Sequence, residues 1–559
     1  MLPSASQSFK LAGYGAISLL VFKYLARVLR NYLLKKETIV LDLPDLGKAR
    51  EDEKKIKGTA VICGGSIAGL LAARVCHDHF EKVIIVESEA WLCTEDAKRA
   101  DSWNQENKRA RIMQYQSTHG YMLPVTDGLL RLFPLFEKEC NASEIRLLPL
   151  FLRVAPAGHI LMNPIDEYGG ILPKTTVAGR RGLETLLRRL TLNEQRYPNI
   201  KQVAGTVTGM SLRETTGKSK DITKITIRTE EGINQEIDAA LVIDCTGPAR
   251  AGEKWLRHAG IDLSEGNLTE SYDALMHYVT FNLSIPPALA LKALGPSWEE
   301  HIDAPSIFVY KGDARKNHKF IASAKAESNS FHNGWNVTVS IVCGNWGGTK
   351  EDLPNDINEA REHLRQVESV APIPEWIWKF FDLCQEPEIQ ESMQISKVRV
   401  PPSYWTHFEE AGSQLPSNWI ALGDVVSRVN PVYGQGVGKA MLGVVSLNNV
   451  LHYLHTQDVK SIPSDFSSRV FRAQADKIAP LWMGNKMIDY AYNTTIPKQG
   501  ESLDKGAYIR WYLRGIEELC GKDKQIGSVM WHSLQSRSTS IDIFHPFIIA
   551  KILFNALVS

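Results

Sequence analysis

The run Thr59-Ala60-Val61-Ile62-Cys63 is apolar without alternation, the pattern of a strand buried on both faces. Gly64-Gly65-Ser66-Ile67-Ala68-Gly69 interrupts it, Leu70 to Phe80 takes up helical spacing, and Lys82 to Val86 is a second such run ending at Glu87. Strand, glycine turn, helix and strand in that order predict a βαβ unit with parallel strands. Two short apolar runs stand far down the chain: Leu241-Val242-Ile243 before Asp244, and Trp419-Ile420-Ala421-Leu422 before Gly423-Asp424. After Pro431, Gly434-Gln435-Gly436-Val437-Gly438 opens a helical stretch through Leu454. The ends differ. Leu11 to Phe22 is apolar, and Lys23, Arg27 and Arg30 then recur at i, i+4 and i+7 among Val21, Tyr24, Leu25, Val28 and Leu29, which predicts an amphipathic helix with a cationic stripe. Ile541 to Val558 is rich in Phe, Ile and Leu with few charges.

The βαβ unit carries nucleotide chemistry. Gly64 makes the tight turn, Gly69 lets helix and strand approach, a pyrophosphate caps the helix N-terminus, and Glu87 takes a ribose hydroxyl pair. Ser66 holds the place of the middle glycine; a small side chain still permits phosphate approach, less freely than glycine. Asp424, at a strand end, is placed to accept hydrogen bonds from a sugar-chain hydroxyl. The helix start after Pro431, with Gly434 and Gly436, presents free N–H groups and a positive dipole end, suited to the pyrimidine edge of a reduced, anionic flavin.

With both segments in view, the chain resembles the FAD-dependent monooxygenases of the aromatic hydroxylase and squalene epoxidase type, in which two such motifs hold opposite ends of one FAD. The likeness extends over roughly Lys57 to Leu454. Gln114 to Leu123, followed by Leu129 to Pro134, looks like the family segment after the second strand. Arg180-Arg181-Gly182-Leu183-Glu184 is similar to the family's R-x-x-L-E helix start, with Arg180 in the arginine position, and Asp244-Cys245-Thr246-Gly247 resembles its central D-x-x-G element. The chain departs from the pattern at Pro248-Ala249-Arg250, where relatives carry a basic, glycine-containing run, and at Gly438, where many have Asn or Thr. The resemblance implies FAD held by Gly64, Ser66, Gly69, Glu87, Arg180, Asp244, Gly247, Asp424, Pro431, Gly434 and Gly436. For Asp244 and Gly247 a purely structural cap of strand and turn stays open beside that role.

Gly64, Glu87 and Asp424 must meet on one cofactor, so the chain leaves the nucleotide domain and returns to it. The expected architecture is α/β: a Rossmann-like FAD-binding domain over residues 58–454, an inserted β-sheet substrate domain at about 260–400, and a helical C-terminal region over 455–559. Strands around 271–285 and 335–343 are expected to build the second sheet over the flavin. Composition changes this little. Apolar residues are 44% and charged residues 23% of 559, ordinary globular values. A net charge of +1 with interspersed signs leaves no basic face, which argues against nucleic acid as a partner. The eight cysteines are scattered singly, so neither a metal site nor a disulfide framework is indicated.

Residues 1–36 are expected to form a membrane anchor, spanning or lying in the interface, and charge-dense 37–57 a linker. The cations that follow the apolar run keep the body cytosolic, with the endoplasmic reticulum face as the expected location. A core helix is favoured for 541–558 over a second docking surface. The resemblance implies that reduced FAD activates dioxygen, one oxygen atom entering a lipophilic small molecule, terpenoid or prenylated or polyketide aromatic, while the other leaves as water. Only one dinucleotide fingerprint is visible, so electrons are expected from transiently bound NADPH or a partner reductase. A flavin-dependent reductase of an isoprenoid and a non-catalytic flavoprotein are the alternatives. A flavin halogenase would need a W-x-W-x-I-P element, which Trp376-Ile377-Trp378-Lys379 lacks.

Overall fold

The computed structural model describes residues 5–107, 109, 112–214, 220–263, 266–327 and 336–558. Residues 1–4 of the expected anchor, and Trp335 at the start of one expected strand, lie outside them, as do most side chains of residues 5–19.

Two sheets carry the site. Their strands are β1 (Ile56–Cys63), β2 (Phe80–Glu87), β3 (Ile200–Ala204), β4 (Leu241–Asp244), β5 (Met276–Ile285), β6 (Phe308–Lys311), β7 (Lys319–Lys325), β8 (Val337–Trp346), β9 (Gln394–Arg399) and β10 (Trp419–Ala421). β10, β4, β1, β2 and β3 lie side by side in that order, all parallel. Helices cover this sheet, so its strands are buried on both faces and read as unbroken apolar runs. The register has a functional consequence: Cys63 lies opposite Val86 and Asp244, and Asp244 opposite Ala421. Four strands therefore end at one level, and the turn after Cys63, Glu87, the turn after Asp244 and the loop to Asp424 leave the sheet along one edge.

Seven helices matter here: α1 (Ala5–Glu37), α2 (Ile67–His79), α3 (Arg180–Thr191), α4 (Gly436–Thr456), α5 (Phe466–Asp489), α6 (Ala507–Leu519) and α7 (Pro546–Val558). α2 begins three residues before the expected Leu70, directly after Ser66. It packs between α3 and α4.

The second sheet runs β9-β5-β8-β7-β6, antiparallel throughout, and ends on a short strand, Val154–Ala155, parallel to β6. Its two faces differ with the period of two of a pleated strand. Val279, Phe281, Ile321 and Ile341 face an apolar core shared with the helix Glu375–Leu383, where Ile377, Phe380 and Phe381 are buried. The Trp376-Ile377-Trp378 segment is thus packing. Met276, Tyr278, Phe320 and Val342 face the other way, toward the first sheet.

No helix among the described residues is long and apolar enough to cross a membrane. Two expectations toward the chain ends need correction. The segment expected as a linker is built into the body: Ile39, Leu43, Leu46 and Ile56 are buried, the first three at i, i+4 and i+7 among charges. Arg50 within it is also buried, donating to the carbonyls of Leu451 and Val459. The last helix, α7, is core on one side only. Ile548 and Ile552 are buried, whereas Phe547, Phe554 and Leu557 are 68%, 67% and 85% exposed.

α1 ends in a fixed joint. The buried Lys477 of α5 donates to the carbonyls of Lys35 and Thr38, each at 2.8 Å, and pairs with Asp42 at 2.8 Å. A cation on the last carbonyls of a helix satisfies orphan acceptors and opposes the negative dipole end. Arg30 pairs with Asp542 at 2.8 Å, and Glu37 accepts from the backbone and hydroxyl of Ser540. Above this joint Tyr14, Ile17, Leu20, Phe22, Tyr24 and Leu25 stand exposed.

Candidate functional site: a cleft at the strand ends

The turn after β1 is shaped by backbone approach. Gly64 has φ +113°, and a Cβ there would lie 2.6 Å from the Cys245 carbonyl oxygen; a Cβ on Gly69 would lie 1.8 Å from the Gly64 oxygen. Both positions therefore exclude a side chain. Ser66 stands just before α2 in extended conformation without capping it. Its hydroxyl instead donates to Glu184 Oε2 and accepts from Arg180 Nη2, each at 2.9 Å. The first turn of α2, with its positive dipole end, thus faces the cleft without a side-chain cap, the arrangement that receives an anion.

Behind the turn lies a charge cluster. Glu184 is fully buried and takes Arg109 at 2.9 Å, Arg180 at 3.0 Å and Arg188 at 3.1 Å. Burial alone would raise its carboxyl, but the three guanidinium groups win and hold it down at about 2. Arg109 also grips Glu89 through two nitrogens. Three cations against two carboxylates, Glu184 and Glu89, leave the cluster with one positive charge in excess beside the turn. Glu87, at the end of β2, accepts from Gly65 N at 2.7 Å on Oε2 and from Glu89 N at 2.8 Å and the Ser88 hydroxyl at 3.5 Å on Oε1, so Oε2 keeps a lone pair for a ribose hydroxyl.

Asp244 stands apart from this role. Its Oδ1 accepts from the backbone and hydroxyl of Thr246, its Oδ2 from Gly252 N, and none of the carboxylate reaches the cleft. Burial pushes it up to about 6 despite those bonds. Asp244 organises the turn that presents Cys245, Thr246 and Gly247 to the cleft, because its position at the last residue of β4 turns the side chain back under the strand end.

At the far end, Asp424 sits on the cleft wall with its side chain 30% exposed. Lys439 of α4, 2% exposed, contacts Asp424 Oδ1 at 2.7 Å and also donates to the Ser427 carbonyl. Burial would raise the Asp424 carboxyl, but Lys439 and then Arg180 and Arg428 hold it below the usual range. The Pro431–Tyr433 turn is anchored from beneath: Asn430 and Tyr433 both donate to the buried Asp489, at 3.1 and 2.6 Å, alongside Tyr272 and Trp346. His119, also on the wall, is pushed down to about 4 by burial and Arg180 and is neutral near pH 7.

These groups border or back a single cavity of about 1720 Å³. It runs from Gly64, Ser66 and Glu87 past Gly247, Asp424 and Gly434 to a chamber under the second sheet, walled by Met276, Tyr278, Phe320 and Val342. The cavity exceeds the ~300–1,000 Å³ of a single small-ligand site. Gly64, Ser66, Glu87, Arg180, Gly247, Asp424, Pro431, Gly434 and Gly436 border it; Gly69 and Asp244 shape it from behind. Arg109, Lys439 and the Asp489 anchor were not expected from sequence. Lys439 had a signal: it is the one charge in the otherwise apolar stretch 436–447. Arg109 had none.

The architecture is shared with solved flavoproteins. The flavin-dependent brominase Bmp2 superposes with a TM-score of 0.53 at 12% identity, covering 90% of this chain and 98% of that one. A flavoprotein/dehydrogenase from Cytophaga hutchinsonii gives 0.52 at 13% identity over the same shares. The chain therefore has the fold of these flavin-binding proteins. Among curated proteins, Protein Rv3254 of Mycobacterium tuberculosis is 22% identical over 451 residues, 78% of this chain and 81% of its own length. No family model matches.

Proposed function

We propose that the protein is an FAD-dependent monooxygenase that inserts one oxygen atom from dioxygen into a lipophilic small molecule. The observation that carries this reading is the continuity of the cavity: the phosphate turn, Asp424 and an apolar chamber share one space. FAD would be held by the α2 N-terminus, Glu87, Arg180, Asp424 and the α4 start, and when bound it supplies dioxygen activation. The residues present do the rest. Asp489 fixes the turn before α4, and the chamber's apolar wall receives an uncharged substrate and excludes water. Its character fits a terpenoid or prenylated aromatic. NADPH, binding transiently, or a partner reductase would supply electrons.

The readings separate in one experiment. With NADPH, or NADPH and a reductase, the protein should consume dioxygen with its substrate and give a product heavier by one oxygen, labelled from ¹⁸O₂ and not from water. Product formed equally fast under argon would replace oxygenation by reduction of an isoprenoid. Halogenation is less favoured, because each lysine on the cavity wall is paired: Lys311 with Glu517, Lys439 with Asp424, Lys477 with Asp42 and Lys505 with Glu501.

Membrane association belongs to the same proposal. The exposed apolar residues of α1, with Lys23, Arg27, Lys35 and Lys36, suit an anionic interface better than a span, and the exposed residues of α7 add to them. Removing residues 1–29 leaves Arg30 and the Lys477 joint in place. That truncation is expected to move the protein from sedimenting vesicles to the supernatant with FAD still bound; unchanged sedimentation would reject α1 as the anchor.

A further inference from the structure

We propose that Lys439 biases the bound cofactor toward its reduced, anionic form, a role that rests on the reading of the cavity as an FAD site. Lys439 is the fourth residue of α4, in the first turn, where the dipole disfavours a cation. It is also 2% exposed in a helix whose neighbours Ala440, Met441 and Leu442 are buried and apolar. A buried ammonium at the positive end of a helix persists only if negative charge compensates it. The protein supplies one anion, Asp424, and that carboxylate is also drawn on by Arg180 and Arg428. Lys439 pairs with Asp424 directly, Arg180 and Arg428 stand on the same cavity wall and act on it at longer range, and among the described residues Arg180 has its own carboxylate, Glu184, which two other arginines share, whereas Arg428 has no ion-pair partner. Two of the three ammonium protons go to Asp424 and the Ser427 carbonyl. The third has no partner among the described residues, and Lys439 borders the cavity.

The site is therefore short of negative charge at the end where α4 begins. A ligand that gains an anionic charge there is stabilised over its neutral form, and two-electron reduction of a flavin, with uptake of one proton, gives such a ligand. Lys439 acts through this field and forms no bond to the reacting atoms; it is a positioning residue. The same field should favour sulfite addition to oxidised flavin, which also places negative charge on the ring.

The test uses the FAD-loaded full chain, with the two-electron potential read by equilibration against a reference dye. K439M is expected to lower the preference for reduced over oxidised FAD about tenfold, about 30 mV at two electrons, and to weaken sulfite binding by a similar factor. K439R should keep both near wild type, and D424N, which removes the counter-anion, should shift both the opposite way. If K439M does not retain FAD, K439Q and K439R are compared by the same two readouts. An unchanged potential in K439M or K439Q, or a K439R variant that shifts as far as these, overturns the proposal. Wild-type protein that binds no FAD on reconstitution would instead overturn the cofactor reading beneath it.

Discussion

Replacing Asp424 by alanine is expected to give a protein that purifies without flavin. Two losses add. A charge-assisted hydrogen bond to the ribityl chain is worth about 1.5–3 kcal/mol. In addition Lys439 loses its counter-ion, and breaking a buried pair by removing one partner costs about 3–5 kcal/mol. At ~1.4 kcal/mol per tenfold, the first loss alone weakens FAD about ten- to hundredfold. The second destabilises the α4 start on the cavity wall. The readout is the ratio of flavin to protein absorbance after dialysis, followed by FAD titration. An Asp424→Ala variant that keeps full occupancy would remove Asp424 from the site. The double variant Asp424→Ala with Lys439→Met separates the losses: thermal stability should recover, and FAD affinity should not.

The second large effect is expected at Glu184. Its carboxyl stands near 4.5 when unperturbed and about 2 in the folded protein. A depressed carboxyl contributes stability that is fully present above the unfolded value and lost as pH falls through the folded one. The window therefore runs from about pH 4.5 down to about 2, and at ~1.36 kcal/mol per pH unit the contribution is about 3 kcal/mol. Glu184→Gln should lower the melting temperature at neutral pH and flatten this acid limb. Glu184→Ala should cost more, because it also removes the acceptor oxygen that glutamine keeps for the three arginines and leaves a cavity. Equal acid limbs in Glu184→Gln and wild type would show that another carboxyl governs acid unfolding.

The parts of the fold legible in the sequence were those with a periodic or steric signature. β1, α2 and β2 announce themselves because a strand covered on both faces must be continuously apolar, and because Gly64 and Gly69 stand where no Cβ fits. The same holds for β10 and the start of α4. What escaped was chemistry set by tertiary partners. Arg109 reaches Glu184 across 75 residues and Tyr433 reaches Asp489 across 56, and no spacing rule encodes either meeting. Asp244 stayed open between two roles for a related reason: the end of a central strand is where a carboxylate meets a ligand and equally where it caps the next turn, and the sequence is the same for both. The segment 37–57 reads as a linker because its four buried apolar residues are outnumbered by charges, several of which pair at the surface.

The joint at Lys477 makes α1 a strut and not a leash. A flexible tether would let the catalytic body tumble beneath whatever α1 is embedded in. Here the helix end is fastened to α5, and α5 also carries Pro480, Leu481 and Gly484 on the cavity wall. The orientation of the chamber is thus inherited from the orientation of α1. A tilt of that helix would reach the cavity as a mechanical load on α5 within one turn of Lys477, so anything that gripped α1 would have leverage over the shape of the cavity.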